Sequence, residues 1–157
     1  MAPFWVSLLS ATDMDVRLLQ SHFDFLKKHS IACFPEEACA LLIGVEEQDG
    51  RVLIDDIIQA PNVAEDKQRY FEIDPSTRIK AEKQLRGGPL KIVGVFHSHP
   101  KGEAQPSNTD ARSVIETQFV WLIAALDGAD CFEVNAFKPL DGAAEFRPLT
   151  LQVTSED

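Results

Sequence analysis

Apolar runs of strand length recur along this chain, and three stretches carry helix signals instead. Ala38 to Val45 is continuously apolar and reads as a buried strand, with Gly44 near its end. Gln48-Asp49-Gly50 is a turn, and Val52 to Ala60 is the returning strand of a hairpin. Lys91 to Phe96 (KIVGVF) is a short run rich in β-branched residues and leads straight into His97. Phe119 to Leu126, Cys131 to Phe137 and Ala144 to Leu151 read as three further strands, with turns at Asp127-Gly128 and Asp141-Gly142. Thr12-x-x-Asp15 is a capping box that opens a helix to about His29, with Leu18, Leu19, Phe25 and Leu26 as its buried stripe. After a short strand at Tyr70 to Ile73, Asp74-Pro75 caps and starts a second helix. Gly87-Gly88 stops that helix. A third helix covers about Asn108 to Thr117. Ser30 to Pro35 and the polar, mobile Pro61 to Gln68 are loops, and the last six residues are frayed. Phe4 to Ala11 is apolar but too short to cross a membrane, has no basic flank or cleavage context, and reads as an edge strand or docked arm. The order is mixed α and β.

Composition narrows the class. A chain of 157 residues suits one domain, with its core over about 12–151. A net charge of −10 without a basic patch argues against nucleic-acid binding. Cys33, Cys39 and Cys131 are odd in number and lack C-x-x-C spacing, so they read as reduced thiols of a cytoplasmic protein. Cys39 as a nucleophile is the sharper alternative, but no cysteine-protease signature surrounds it.

The densest chemistry lies in VGVFHSHPKGEAQPSNTD, from Val93 to Asp110. Residues two apart on a strand share a face, so His97 and His99 project together and Ser98 points away. Two imidazoles side by side suit a divalent metal. Pro100 ends the strand, KGEAQP is a loop, and Ser107 caps the helix that follows. Asp110 then stands in the first turn, where its carboxylate can aim back at the strand end. His97, His99 and Asp110 make three protein ligands, and a free fourth position is the pattern of a catalytic zinc site. Ser107 and Asp110 alone spell a capping box, a role compatible with the first. His22 and His29, on the first helix, read as packed or dipole-facing histidines. Glu36 and Glu37 stand together at a strand entrance, and periodicity does not choose between them.

His97-Ser98-His99-Pro100, the seven residues from His99 to Ser107, and Asp110 resemble the signature of the JAMM (MPN+) zinc metalloproteases. Glu37 in PEEACALLIG resembles that family's upstream catalytic glutamate segment, with Ala40 where many relatives carry glycine. The resemblance runs from roughly Leu18 to Phe137 and is closest to the short bacterial members. It implies the MPN/JAB fold, a curved, mostly antiparallel sheet flanked by helices. It implies one zinc per chain on His97, His99 and Asp110, with Glu37 as general base and Ser107 as oxyanion donor. It also implies hydrolysis of an amide bond after the C-terminal Gly-Gly of a ubiquitin-like or sulfur-carrier protein. Relatives that cut polyubiquitin carry insertions, one with a second zinc site. Here the histidines are only 22, 29, 97 and 99, and the turns are short. Leu85-Arg86-Gly87-Gly88 spells the tail of ubiquitin, but at this internal place it reads as a helix C-cap. A non-catalytic MPN scaffold is disfavoured by the complete ligand set, and a zinc deaminase by the missing Pro-Cys-x-x-Cys. A general peptidase without a ubiquitin-like substrate is the remaining alternative. No membrane partner is expected, and the pattern leaves the oligomeric state open.

Overall fold

The computed structural model describes residues 15–114, 116–127, 131–140 and 145–156. Among the described residues eight strands and three helices follow in the order β1 (Val16–Leu19), α1 (Gln20–Cys33), β2 (Cys39–Glu46), β3 (Val52–Ala60), α2 (Pro75–Leu85), β4 (Lys91–His99), α3 (Asn108–Ser113), β5 (Val120–Asp127), β6 (Cys131–Pro139), β7 (Phe146–Leu149) and β8 (Leu151–Thr154). They form one sheet in the order β7-β6-β5-β4-β2-β3-β1-β8. Four of its seven pairings are antiparallel; β4–β5, β1–β3 and β1–β8 are parallel. β7 and β8 lie at opposite ends of this order, yet only Thr150 separates them in the chain. Consecutive Cα atoms are about 3.8 Å apart, so the sheet must curl until its two ends nearly meet. Thr150 fastens the seam: its carbonyl accepts from the N–H groups of Asp15 and Val16, both at 3.0 Å, and its N–H donates to Asp15 Oδ2 at 2.8 Å.

The curled sheet has an apolar cluster on each face, as period-2 alternation requires. Ala40, Leu42, Phe96, Val120 and Leu122 pack with Leu26 of α1 on one face. Leu41, Ile43, Trp121 and Ile123 pack with Ala81 of α2 on the other. Two glycines allow the strands to close up. A Cβ on Gly44 would stand 1.9 Å from the Leu53 carbonyl oxygen, and one on Gly94 would stand 2.2 Å from that of Val120. Among the described residues no helix is long and apolar enough to cross a membrane.

Several expectations change. The first helix starts at Gln20, not after Thr12, and runs past His29 to Cys33, through the loop expected from Ser30. Val16 to Leu19 are instead a strand, because the backbone there finds partners on both sides, β3 and β8. Tertiary pairing overrides the apparent cap, and the helix begins without any side-chain cap. Tyr70 to Ile73 reduces to one antiparallel bridge between Asn62 and Ile73. The third helix stops at Ser113 rather than near Thr117. The strand expected from Ala144 to Leu151 is two strands split at Thr150, and the supposedly frayed tail supplies β8, which pairs with β1. The second helix keeps its expected start and end. Asp74 accepts from the Ser76 N–H, Pro75 opens the helix, and Gly87 turns the chain at φ +83°. The readings of Phe4 to Ala11, Thr12 and the glycines of the Asp127-Gly128 and Asp141-Gly142 turns fall outside the described residues.

Candidate active site

β4 carries His97 and His99 at its C-terminal end, between β2 and β5. Both project to the face that holds Trp121, while buried Ser98 projects to the opposite face. There the Ser98 Oγ accepts the Ala38 N–H at 2.9 Å, and the Ser98 N–H donates to the Ala38 carbonyl at 3.0 Å. This locks the residue after Glu37 to the residue between the two histidines. The loop after β4 then returns through Pro106 to α3, whose cap is Ser107. Ser107 Oγ accepts the Asp110 N–H at 3.0 Å, and the Ser107 N–H donates to Asp110 Oδ2 at 2.9 Å. The capping box aims the Asp110 carboxylate at the strand end.

Three donor atoms meet there. His97 Nε2 lies 3.0 Å from His99 Nε2, and Asp110 Oδ2 lies 3.2 Å from each. All three residues are buried. His99 Nδ1 donates to the Glu103 carbonyl at 2.7 Å, which leaves Nε2 as the ring nitrogen that faces the cluster. Such a carbonyl partner is what commonly orients a metal-binding histidine. Donor atoms around a tetrahedral metal with bonds of about 2.0–2.1 Å sit about 3.3–3.4 Å apart. The observed spacings are close to that, and a cation would relieve the crowding of lone pairs. The donor set fits a divalent metal.

Charge follows burial and contact. Burial holds His97 below the ordinary histidine range. Burial also opposes charge on His99, but the hydrogen bonds to Asp110 and to Glu103 outweigh it and raise the group. For Asp110, burial acts upward, yet the contacts with His97, His99 and the Ser107 N–H hold the carboxyl well below the usual carboxylate range.

Glu37 is the second carboxylate. It is buried, and one of its oxygens lies within 4.8 Å of ligand atoms on both His97 and His99. Burial pushes its carboxyl up to about 8, against the pull of His99. Its neighbour Glu36 is exposed. The structure thus brings His97, His99, Asp110 and Glu37 into one cluster, with Ser107 one turn from it through the capping box. His29 stands apart: its Nε2 donates to the Cys39 carbonyl at 2.9 Å. Cys39 is buried and its thiol is pushed up to about 12 by that burial, which unsuits it for nucleophilic attack.

Sequence reasoning missed the aromatic and amide groups around this centre. Phe71 stacks on the His97 ring at 4.2 Å and 13°, and Trp121 meets it edge-on at 5.6 Å. Both line a cavity of about 740 Å³ whose other walls include Leu41, Val95 and Phe119, with Glu65, Glu72 and Glu116 among the polar lining. Asn135 of β6 donates to the Ala104 carbonyl at 3.0 Å and so holds the loop that presents Glu103 to His99. No motif spacing marks these residues; only the fold brings them near.

A curved α+β sheet carries a buried cluster of His97 and His99 from the end of β4, Asp110 from α3 and Glu37 from just before β2. The chain belongs to the prokaryotic homologs of the JAB domain, whose family profile matches residues 19–138. It is similar to the CysO-cysteine peptidase of Mycobacterium tuberculosis, 25% identical over 123 residues that cover 78% of this chain and 82% of the relative. It is similar to a desampylase of Haloferax volcanii, 30% identical over 94 residues, 60% of this chain and 66% of that one. Its fold matches the solution structure of a Desulfitobacterium hafniense protein with a TM-score of 0.78 and 25% identity, over 90% of this chain and 94% of the other. The chain is a hydrolase with a JAB/MPN fold.

Proposed function

We propose that this hydrolase is a zinc-dependent peptidase that cuts the amide bond after the C-terminal Gly-Gly of a ubiquitin-like or sulfur-carrier protein. The carrying observation is the convergence of His97 Nε2, His99 Nε2 and Asp110 Oδ2 within 3.2 Å, with a Glu37 carboxylate oxygen within 4.8 Å of ligand atoms on both histidines. Those three atoms would hold one zinc per chain. When bound, zinc supplies Lewis-acid activation of water and of the scissile carbonyl. Glu37, with a carboxylate oxygen within 4.8 Å of ligand atoms on both histidines, would accept the proton of the attacking water and return it to the leaving amine. Ser107 uses an oxygen lone pair for its cap, so its hydroxyl hydrogen is free to donate to the oxyanion of the tetrahedral intermediate. No covalent intermediate on the protein is required.

The substrate reading draws on the peptidase and desampylase names of the relatives and on the chain's resemblance to a family that cuts after Gly-Gly. Glycines, having no side chain, let a substrate backbone approach a buried centre closely. The thiols of Cys33 and Cys39 are free, which fits a reducing, cytoplasmic setting. The test incubates the zinc-loaded protein with a bacterial sulfur-carrier protein extended by several residues beyond its Gly-Gly, and reads the intact mass. Loss of the extension, blocked by chelator, supports the reading. Intact carrier fusions together with efficient cutting of unrelated short peptides would leave a general peptidase.

A further inference from the structure

The segment between β3 and α2 holds Glu37 from both sides, and one side chain organises that grip. The Glu37 N–H donates to the Lys67 carbonyl at 2.8 Å. The Glu37 carbonyl accepts from Asn62 Nδ2 at 3.0 Å. The same amide group donates to the Tyr70 carbonyl at 3.0 Å, and Asn62 Oδ1 accepts the N–H groups of Ala64 at 3.0 Å and Glu72 at 3.1 Å. One amide thus closes the segment at its base and clamps it to the peptide of Glu37. Between Tyr70 and Glu72 lies Phe71, whose ring stacks on His97. Asn62 therefore ties the carboxylate strand, the aromatic wall of the cavity and a metal-site histidine into one unit.

We infer that Asn62 is a positioning residue for Glu37, one that fixes where the carboxylate stands relative to the His97/His99/Asp110 cluster. The inference rests on the reading of Glu37 as the base. The chemistry demands an amide here. A carboxylate keeps the acceptor for Ala64 and Glu72 but loses all three donations, to Glu37, to Tyr70 and the long one of 3.5 Å to Lys67. It also sets a charge against the carbonyl oxygens it replaced as partner. Alanine loses every bond, and glutamine carries the amide one methylene too far. A displacement of about 1 Å at a reacting group lowers turnover on the order of a hundredfold.

The experiment compares the zinc-loaded full chain with its Asn62→Asp, Asn62→Ala and Glu37→Gln variants on the extended carrier protein, and adds the double variant Asn62→Asp/Glu37→Gln. Asn62→Asp should lower kcat by about 10- to 100-fold, with KM within about threefold of the parent's and zinc content unchanged. In the Glu37→Gln background the same change should have almost no further effect on the residual single-turnover rate, because Asn62 acts through Glu37. Should Asn62→Ala fail to fold, the Asp variant, which retains the loop's acceptor bonds, carries the test. If Glu37→Gln is dead but Asn62→Asp turns over like the parent, the positioning role is overturned while the base stands. A loss on Asn62→Asp that persists in full in the Glu37→Gln background, or that appears equally in KM, zinc content and thermal midpoint, also overturns it. An active Glu37→Gln variant overturns the base assignment itself.

Discussion

Ser107 has two duties in this account, and they separate by magnitude. As the cap of α3 its Oγ accepts the Asp110 N–H at 3.0 Å. Replacing a capping serine with alanine costs about 1 kcal/mol, which for a chain of this size lowers the thermal midpoint by about 2–4 °C. As an oxyanion donor its hydroxyl hydrogen acts only in the transition state. Removing one such donor lowers kcat by about 10²–10³, or about 2.7–4 kcal/mol of barrier. Ser107→Ala should therefore show both effects, with zinc retained, since Asp110 also keeps its bond from the Ser107 backbone N–H at 2.9 Å. Ser107→Thr keeps a hydroxyl that can cap and donate, and should stay near the parent in both readouts. Initial rates on a Gly-Gly-extended carrier, metal content and thermal melts measure the three quantities side by side. A Ser107→Ala variant that melts lower but turns over within threefold of the parent would refute the oxyanion role and leave the cap alone.

Two further outcomes follow from the cluster. The double variant His97→Ala/His99→Ala should purify without stoichiometric zinc, since two of three donors are gone; elemental analysis showing full occupancy would sink the ligand assignment. In chelated protein, Glu37 is held by burial at about 8 against an ordinary value of 4.5. The folded state then binds more protons than the unfolded one between those values, so its stability falls as pH rises through that window. Glu37→Gln removes this loss. The melting advantage of chelated Glu37→Gln over the chelated parent should grow from pH 5 to pH 8.5, and an advantage that is equal at both would contradict the buried, proton-holding carboxylate.

Much of this centre could be read from the chain because its groups are close in sequence. His97 and His99 share a strand face by period 2, and Ser107 and Asp110 share a capping box three residues apart. Glu37 is different: its distance from β4 in sequence is long, and only family resemblance chose it over Glu36. The structure places the two carboxylates in opposite environments, one buried and one exposed. Asn62, Phe71 and Asn135 were invisible because each acts through a contact that the topology creates, such as the ring stack at 4.2 Å on His97. The start of the first helix misled for a related reason. Thr12-x-x-Asp15 has the letters of a cap, but Val16 to Leu19 gain strand partners from distant segments, and local pattern carries no record of those. The split at Thr150 escaped likewise, since a run of strand-forming residues does not say that its two halves pair at opposite ends of a curled sheet.

The central claim is that a metal held by His97, His99 and Asp110 works with Glu37 as the proton acceptor. Its most direct test is a paired comparison of Glu37→Gln and Glu36→Gln, each checked for zinc content and then assayed by intact mass on the extended carrier. Both should bind zinc like the parent; Glu36→Gln should cleave at the parent's rate, and Glu37→Gln should lose nearly all turnover. A zinc-loaded Glu37→Gln variant that still cleaves at the parent's rate would contradict the claim.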